Sequence, residues 1–262
     1  MTKNELKYFQ KLRQKKFRDS ENKFLIEGLH LVEECKKSDH YKDNLEIIFV
    51  RNDFNLKDLK KLNIDKKQID LISLDEKLFR ILTDTVSPQG IIGVVTKPKE
   101  PFNKKIFEKS SLAVALDTIN DPGNLGTIIR TGYCYGVDEI LISDNSVDLY
   151  NPKVLRSTQG AIFNLNIRCE LNLENELEKY YLDGYKIILT ELNSEKYLND
   201  YMFKPGEKYI IVFGNEAGGI NKNILRHNKY EKMKIKIFTD CESLNIAVSA
   251  GIALNHIKNN IM

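Results

Sequence analysis

Two short, uninterrupted apolar runs constrain this chain more than any other feature: Leu-Ala-Val-Ala-Leu at 112–116 and Lys-Tyr-Ile-Ile-Val-Phe at 208–213. Runs this short without polar alternation are buried on both faces, the condition of a central strand in a parallel sheet covered by helices. Each run ends in a polar, glycine-bearing turn that leads into a helical pattern, DTINDPGNLG after the first and GNEAGGI after the second. Repeated strand, turn and helix specify an α/β architecture.

A third junction of this kind lies at 233–257, MKIKIFTDCESLNIAVSAGIALNHI. Met233, Ile235 and Ile237 alternate with lysines, which predicts a strand. Leu244, Ile246, Ala247, Val248, Ala250, Ile252 and Leu254 predict a buried helix, with Ser243 as its cap and Asn245 adding an amide at its start. Taken alone, an ordinary capped C-terminal helix reads the same way. At the first junction, Pro122 and Gly123 end the strand and Asn124 caps a helix on which Thr127, Arg130 and Cys134 share a face. Arg130 then lies about one and a half turns in, and either reaches back to the sheet edge or sits on an exposed face. At the second, Gly214, Gly218 and Gly219 let backbone approach a ligand closely, with Glu216 among them. Neither G-x-G-x-x-G nor a Walker A loop is present. Ligands of open α/β sheets bind beyond the carboxyl ends of strands, so three such turns can line one crevice.

The remaining second half reads as strands at 139–143, 166–169 and 185–190, with helices at 173–182 and from Asn221. Between them, Arg156, Ser157, Thr158, Gln159 and Gly160 gather donors suited to phosphate and ribose, although a surface helix and turn has the same composition. The first half alternates too: a basic helix over 4–18, strands at 24–26, 45–50, 69–72 and 91–95, and helices after Gly28, at 56–62 and at 75–82. TDTVSPQG at 83–90 reads as an exposed loop. KPKEPFNKK, with two prolines and four lysines, marks a linker. The expected division is therefore 1–97, a linker at 98–107, and 108–262.

At 262 residues the chain has room for two domains, and 42% hydrophobic with 29% charged residues is a globular composition. No apolar run approaches the roughly 20 residues of a membrane span. The charged N-terminal stretch has no signal-peptide core, so a cytoplasmic place and no membrane are expected. Cys35, Cys134, Cys169 and Cys241 are scattered singly and read as reduced thiols in or near the core. With four isolated histidines, the chain offers no metal-ligand spacing and no hydrolase triad, so no metal is expected. Charge is uneven: the first 107 residues hold 23 Lys and Arg against 17 Asp and Glu, and the remainder 17 against 20. A basic first half suits a polyanion such as nucleic acid, and equally a solvated lysine-rich surface.

Together, N-L-G-T-I-I-R at 124–130, F-G-N-E-A-G-G-I at 213–220 and E-S-L-N-I-A-V-S at 242–249 resemble the three ordered motifs of the SpoU or TrmH family. These are SPOUT-class RNA ribose 2′-O-methyltransferases that use S-adenosylmethionine. The first half, through KLRQKKFRDSENKFLIEGLHLVEEC, resembles the L30e-like substrate-binding domain that many members carry. The resemblance implies a C-terminal α/β trefoil-knot domain, a smaller N-terminal α/β domain, and a homodimer. It also implies that Arg130 polarises the acceptor hydroxyl, that Asn124 positions the ribose, and that Ser243, Asn245 and Glu216 shape the catalytic pocket. Gly214, Asn215, Glu216, Ile237, Ser243, Leu244 and Asn245 become the candidate cofactor residues, and Arg13, Lys16, Arg18 and Arg156 the candidate RNA contacts. Ribosomal RNA, in particular the 23S molecule, is the first expectation for the substrate and transfer RNA the second. A non-catalytic RNA-binding or assembly protein is the alternative from another class. Lys236 and Thr239 depart from the proline and glycine usual in the family before its third motif.

Overall fold

The computed structural model describes residues 1–62, 64, 68–83, 85–98 and 112–262. Two compact units emerge, one of residues 1–100 with 148–164 and one of 101–147 with 165–262. Apart from Pro98, most of the expected linker lies outside the described residues.

In the first unit, β1 (Lys23–Glu27), β2 (Leu45–Arg51), β3 (Asp70–Leu74) and β4 (Ile91–Thr96) form a sheet of order β1-β4-β2-β3. β4 is antiparallel to both neighbours and β2 is parallel to β3. The basic N-terminal stretch is two helices rather than one, α1 (Lys3–Lys11) and α2 (Lys15–Glu21). Arg18 explains the break. Its guanidinium is buried, donates to the carbonyls of Leu12 (3.0 Å) and Arg13, and pairs with Asp148. Helical bonding would consume those carbonyls. Arg18 is thus a structural residue, and its assignment as an RNA contact is corrected. Lys16 is exposed, whereas Arg13 is half-buried. The unit also holds α3 (Leu29–Lys37), α4 (Leu56–Lys61) and α5 (Glu76–Leu82), the last capped by Asp75.

Residues 148–164, although from the second half of the chain, complete this unit. The Tyr150 ring packs 4.4 Å from that of Phe24, and the Ser38 hydroxyl donates to the Phe163 carbonyl. Gly160 has φ +85° and sits where a Cβ would meet the Glu34 side chain at 2.6 Å. The donor-rich stretch at 156–160 therefore ends a helix that packs here, with Thr158 buried and donating to Leu155, while Arg156 stays half-buried.

In the second unit, the strands are β5 (Leu112–Leu116), β6 (Glu139–Ser143), β7 (Asn166–Leu171), β8 (Tyr185–Thr190), β9 (Lys208–Phe213) and β10 (Glu231–Met233). They run in the order β10-β8-β9-β5-β6-β7, parallel throughout. Every residue of β5 is buried, as the unbroken apolar run requires. Ala113 and Ala115 face a cluster with Leu173, Leu177, Ile210 and Val212. The alternate residues, Leu112, Val114 and Leu116, are equally buried on the opposite face. The helices are α6 (Pro122–Cys134), α7 (Pro152–Thr158, in the first unit), α8 (Leu173–Leu182), α9 (Lys222–Leu225) and α10 (Ile246–Ile261). α6 and α10 pack together.

Several local expectations change. α6 starts at Pro122 with Asp121 as its cap, because proline suits the first helical position, and Asn124 is left inside the first turn. α10 is capped by Asn245, whose carbonyl oxygen accepts from Ala247 and Val248, so Ser243 precedes the helix instead of capping it. The strand at 233–237 stops at Met233. α10 is also not wholly buried, since Val248 is 51% and Ile252 40% exposed. Of the thiols, Cys134 and Cys241 are exposed.

Candidate active site

The carboxyl ends of β5 and β9 are sewn together by polar side chains. Asp117, just past β5, accepts from the backbone N–H of Asn221 at 2.7 Å, and Asn215 donates to the Thr118 carbonyl at 2.8 Å. Asn215 also accepts from the N–H groups of Ala217 (2.9 Å) and Gly218 (3.0 Å) and closes the turn through paired backbone bonds with Gly219. Its side chain thereby sets the shape of the turn. Gly214 is required by space: a Cβ there would lie 2.2 Å from the Gly219 carbonyl carbon and the Ile220 nitrogen. Backbone cannot yield as a side chain does.

Because Asp121 takes the cap of α6, the Asn124 side chain is free to bridge. Its Nδ2 donates to Glu216 Oε1 at 2.7 Å, and its Oδ1 accepts from Asn245 Nδ2 at 3.0 Å. Asn245 meanwhile caps α10 with its own carbonyl oxygen, at 2.9 Å from the Ala247 nitrogen. One continuous chain, Asn245 to Asn124 to Glu216, thus joins all three junctions that the sequence singles out.

A cavity of about 530 Å³ opens among the last two junctions and the end of β8. Its wall includes Gly214, Asn215, Glu216, Ile237, Ser243, Leu244 and Asn245. The alternation at 233–237 now has its cause: Ile235 and Ile237 face this cavity rather than a neighbouring strand. Thr190, Glu191, Leu192 and Asn193 also line it and were missed. The carboxyl-end rule applied to β8 points to them, since β8 lies beside β9.

Arg130 and Asn124 do not line the cavity. Arg130 is exposed, and among the described residues no hydrogen bond or ion pair engages it. It lies about two turns into α6 and, at 100° per residue, about 120° around the helix from Asn124. Arg13, Lys16 and Arg156 belong to the first unit and have no part in this constellation. Among the described residues, no group of three or more His, Cys, Asp or Glu is placed to hold a metal ion, and no helix is long and apolar enough to cross a membrane.

Comparison with known proteins gives a consistent result. Residues 111–255 match the SpoU rRNA Methylase family, and residues 3–93 match the MRM3-like substrate binding domain. The chain is 31% identical over 254 residues to the 23S rRNA (guanosine(2553)-2′-O)-methyltransferase RlmP of Bacillus subtilis (strain 168), covering 97% of this chain and 95% of that one. Among solved structures, an AdoMet-bound rRNA methyltransferase from Sinorhizobium meliloti superimposes with a TM-score of 0.85 at 24% identity, covering 98% of this chain and 95% of that one. The SpoU methyltransferase AviRb from Streptomyces viridochromogenes, solved with AdoMet, gives 0.85 at 19% identity, covering 97% of each chain.

Proposed function

The chain belongs to the SpoU rRNA methylase family of SPOUT-class RNA methyltransferases, and from that membership we propose that it methylates a ribose 2′-hydroxyl of RNA with S-adenosylmethionine as donor. The observation that carries this reading is the Asn245–Asn124–Glu216 chain, which ties the three family motifs together beside a cavity of ligand size. About 300–1,000 Å³ is usual for small-molecule sites.

The residues present fit the cofactor. Leu192, Ile220, Leu225, Ile235, Ile237 and Leu244 supply apolar wall for a flat base, and the glycine turn brings backbone without side chains to the ligand. The Glu216 carboxylate sits on the wall, where it complements a sulfonium charge. Bound there, the cofactor supplies an activated methyl group. Asn215, Asn245 and the Gly214 turn would hold it. Asn124, polarised by Glu216, orients the ribose. A guanidinium does not act as a base in protein, so the role of Arg130 is to stabilise charge developing on the 2′-oxygen, whose proton passes to water.

Arg130 does not line the cavity of its own protomer and is exposed, which supports a homodimer whose sites take Arg130 from the partner. Exposed apolar side chains on the two packed helices, Val248 and Ile252 with Tyr133 at 47% exposure, offer the surface for it. The knot belongs to the same proposal, with residues 234–246 running along the cavity wall beside the β9 turn. The substrate we propose is 23S ribosomal RNA, on the strength of the likeness to RlmP along nearly the whole chain.

Radiolabelled methyl transfer to total RNA tests the reaction, and ribose-methylation mapping in cells with and without the gene names the target. Incorporation that maps to a single 2′-O-methyl mark in large-subunit RNA is expected. RNA binding without incorporation sinks the enzyme reading.

A further inference from the structure

After Met233 the chain leaves the sheet and, but for one bridge from Lys234 to Tyr197, is in no helix or strand among the described residues until α10. Its two faces differ. Ile235 and Ile237 line the cavity, whereas Lys236 and Phe238 do not. Phe238 is 85% exposed, the most exposed aromatic side chain among the described residues. The Lys236 ammonium lies 5.3 Å from the Phe238 ring centroid and 5.7 Å from that of Tyr197, and the ammonium of Lys234, a residue that also lines the cavity, lies 5.1 Å from that of Tyr197. Among the described residues neither lysine has a carboxylate partner, while nearby Lys196 is neutralised by Glu231 at 2.8 Å. Asp240 and Glu242 follow on the chain, so the cationic stretch ends at Phe238.

A ring left in water buries no apolar surface in the fold, and the unneutralised Lys236 ammonium beside it, with that of Lys234 on the neighbouring Tyr197 ring, does not suit a dry apolar interface. Together they are what single-stranded nucleic acid sites use: an aromatic face for a base and cations for the flanking phosphates. Bases within a duplex are stacked on one another and offer no such face. We infer that Phe238, with Lys236 and Lys234 set around Tyr197, binds an unpaired nucleotide of the RNA substrate, its base stacked on Phe238 and its phosphates on the lysines. The inference rests on the reading of this protein as an RNA methyltransferase and extends it. The same short segment forms the cavity wall, so a nucleotide held on its outer face is positioned beside the cofactor site.

Fluorescence anisotropy with a labelled 12-mer of oligouridylate and a 12-base-pair RNA duplex tests it on the full-length protein. Phe238→Ala is expected to weaken oligouridylate binding by about 5- to 100-fold, the loss of one stacked base, and to leave duplex affinity unchanged. Phe238→Trp is expected to restore it. Lys236→Gln is expected to lower the salt dependence of oligouridylate binding by about 0.7 in the log–log slope, as for one released phosphate contact. Equal oligouridylate affinity in wild type and Phe238→Ala overturns the proposal, as does failure of the wild type to bind the oligomer. So does a change of oligomeric mass in Phe238→Ala by sedimentation, which assigns the ring to contact between protomers. Failure of the enzyme reading shows separately, as a wild type that transfers no methyl group to total RNA.

Discussion

At the amino ends of β6 and β7, Glu139 is buried and accepts from Asn166 at 2.8 Å and from the Tyr180 hydroxyl. Beside it Arg168 donates to Glu176 at 2.7 Å, and Lys179 donates to the other oxygen of Glu176 at 2.6 Å. At the carboxyl ends of the same sheet, Asn124 and Glu216 also pair at 2.7 Å, but Glu216 is exposed and a cavity adjoins it. The chemistry of the two clusters is alike; their surroundings differ. A buried carboxylate that loses its donors suffers the full cost of desolvation, whereas an exposed pair exchanges one partner for another at about 0–1 kcal/mol. The amino-end cluster is therefore committed to holding β6, β7 and α8 together, while the carboxyl-end cluster remains free to trade its partners for a ligand.

Arg130→Ala should show the largest effect at the carboxyl end. If the guanidinium stabilises charge on the acceptor oxygen, the rate of methyl transfer falls by about 10²–10³-fold, with cofactor affinity by calorimetry nearly unchanged. Asn245→Ala should instead weaken the cofactor, because it removes both the bond to Asn124 and the cap of α10. Mixing the two variants under subunit exchange should restore part of the activity if each site draws on both protomers. Full turnover by Arg130→Ala with saturating RNA removes its catalytic role, and mixed dimers proven by mass spectrometry but inactive place the site within one chain.

Gly214→Ala comes next. The added Cβ meets backbone at 2.2 Å, so the 214–220 turn must open, at a cost on the order of 1–3 kcal/mol. Calorimetry should show weakened cofactor binding with a modest fall in Tm. A variant with wild-type affinity would mean that the turn does not shape the cofactor site.

Much of the strand placement along the chain was legible because β5 and β9 are buried on both faces and their turns carry glycine, asparagine and proline. The three junctions were readable as motifs before their geometry was known. What the sequence hid was competition for the same role. Asp121 and Asn124 are both good caps, and only the position of Pro122 decides between them; Ser243 and Asn245 compete likewise, and the amide reaches two N–H groups. Arg18 looked like part of a basic RNA-binding face because its partner, Asp148, lies 130 residues away. The alternation from Met233 to Ile237 was real, but period two records only which face is apolar, and a cavity satisfies it as well as a sheet.

The smallest effect, and the finest test of the comparison, is Glu139→Gln. Burial raises the Glu139 carboxyl above its ordinary range, although Tyr180 and Asn166 donate to it and act in the opposite direction. A folded-state pKa above the unfolded one means that the stability this group contributes is complete at low pH and is lost as pH rises through the folded pKa. Glutamine carries no charge to desolvate. Its single carbonyl oxygen can keep the Tyr180 hydroxyl, and its NH₂ can donate to Asn166 Oδ1 after an amide flip, which leaves one buried Asn166 group without a partner as in the wild type. The variant should therefore stay within about 1 kcal/mol of wild type near neutral pH in urea unfolding. It should also lack the wild type's decline in stability from the ordinary carboxylate range upward. If Glu139→Gln is strongly destabilised at neutral pH with its pH profile unchanged, the ionised carboxylate itself holds the amino-end cluster together, and burial is not what sets the two ends of the sheet apart.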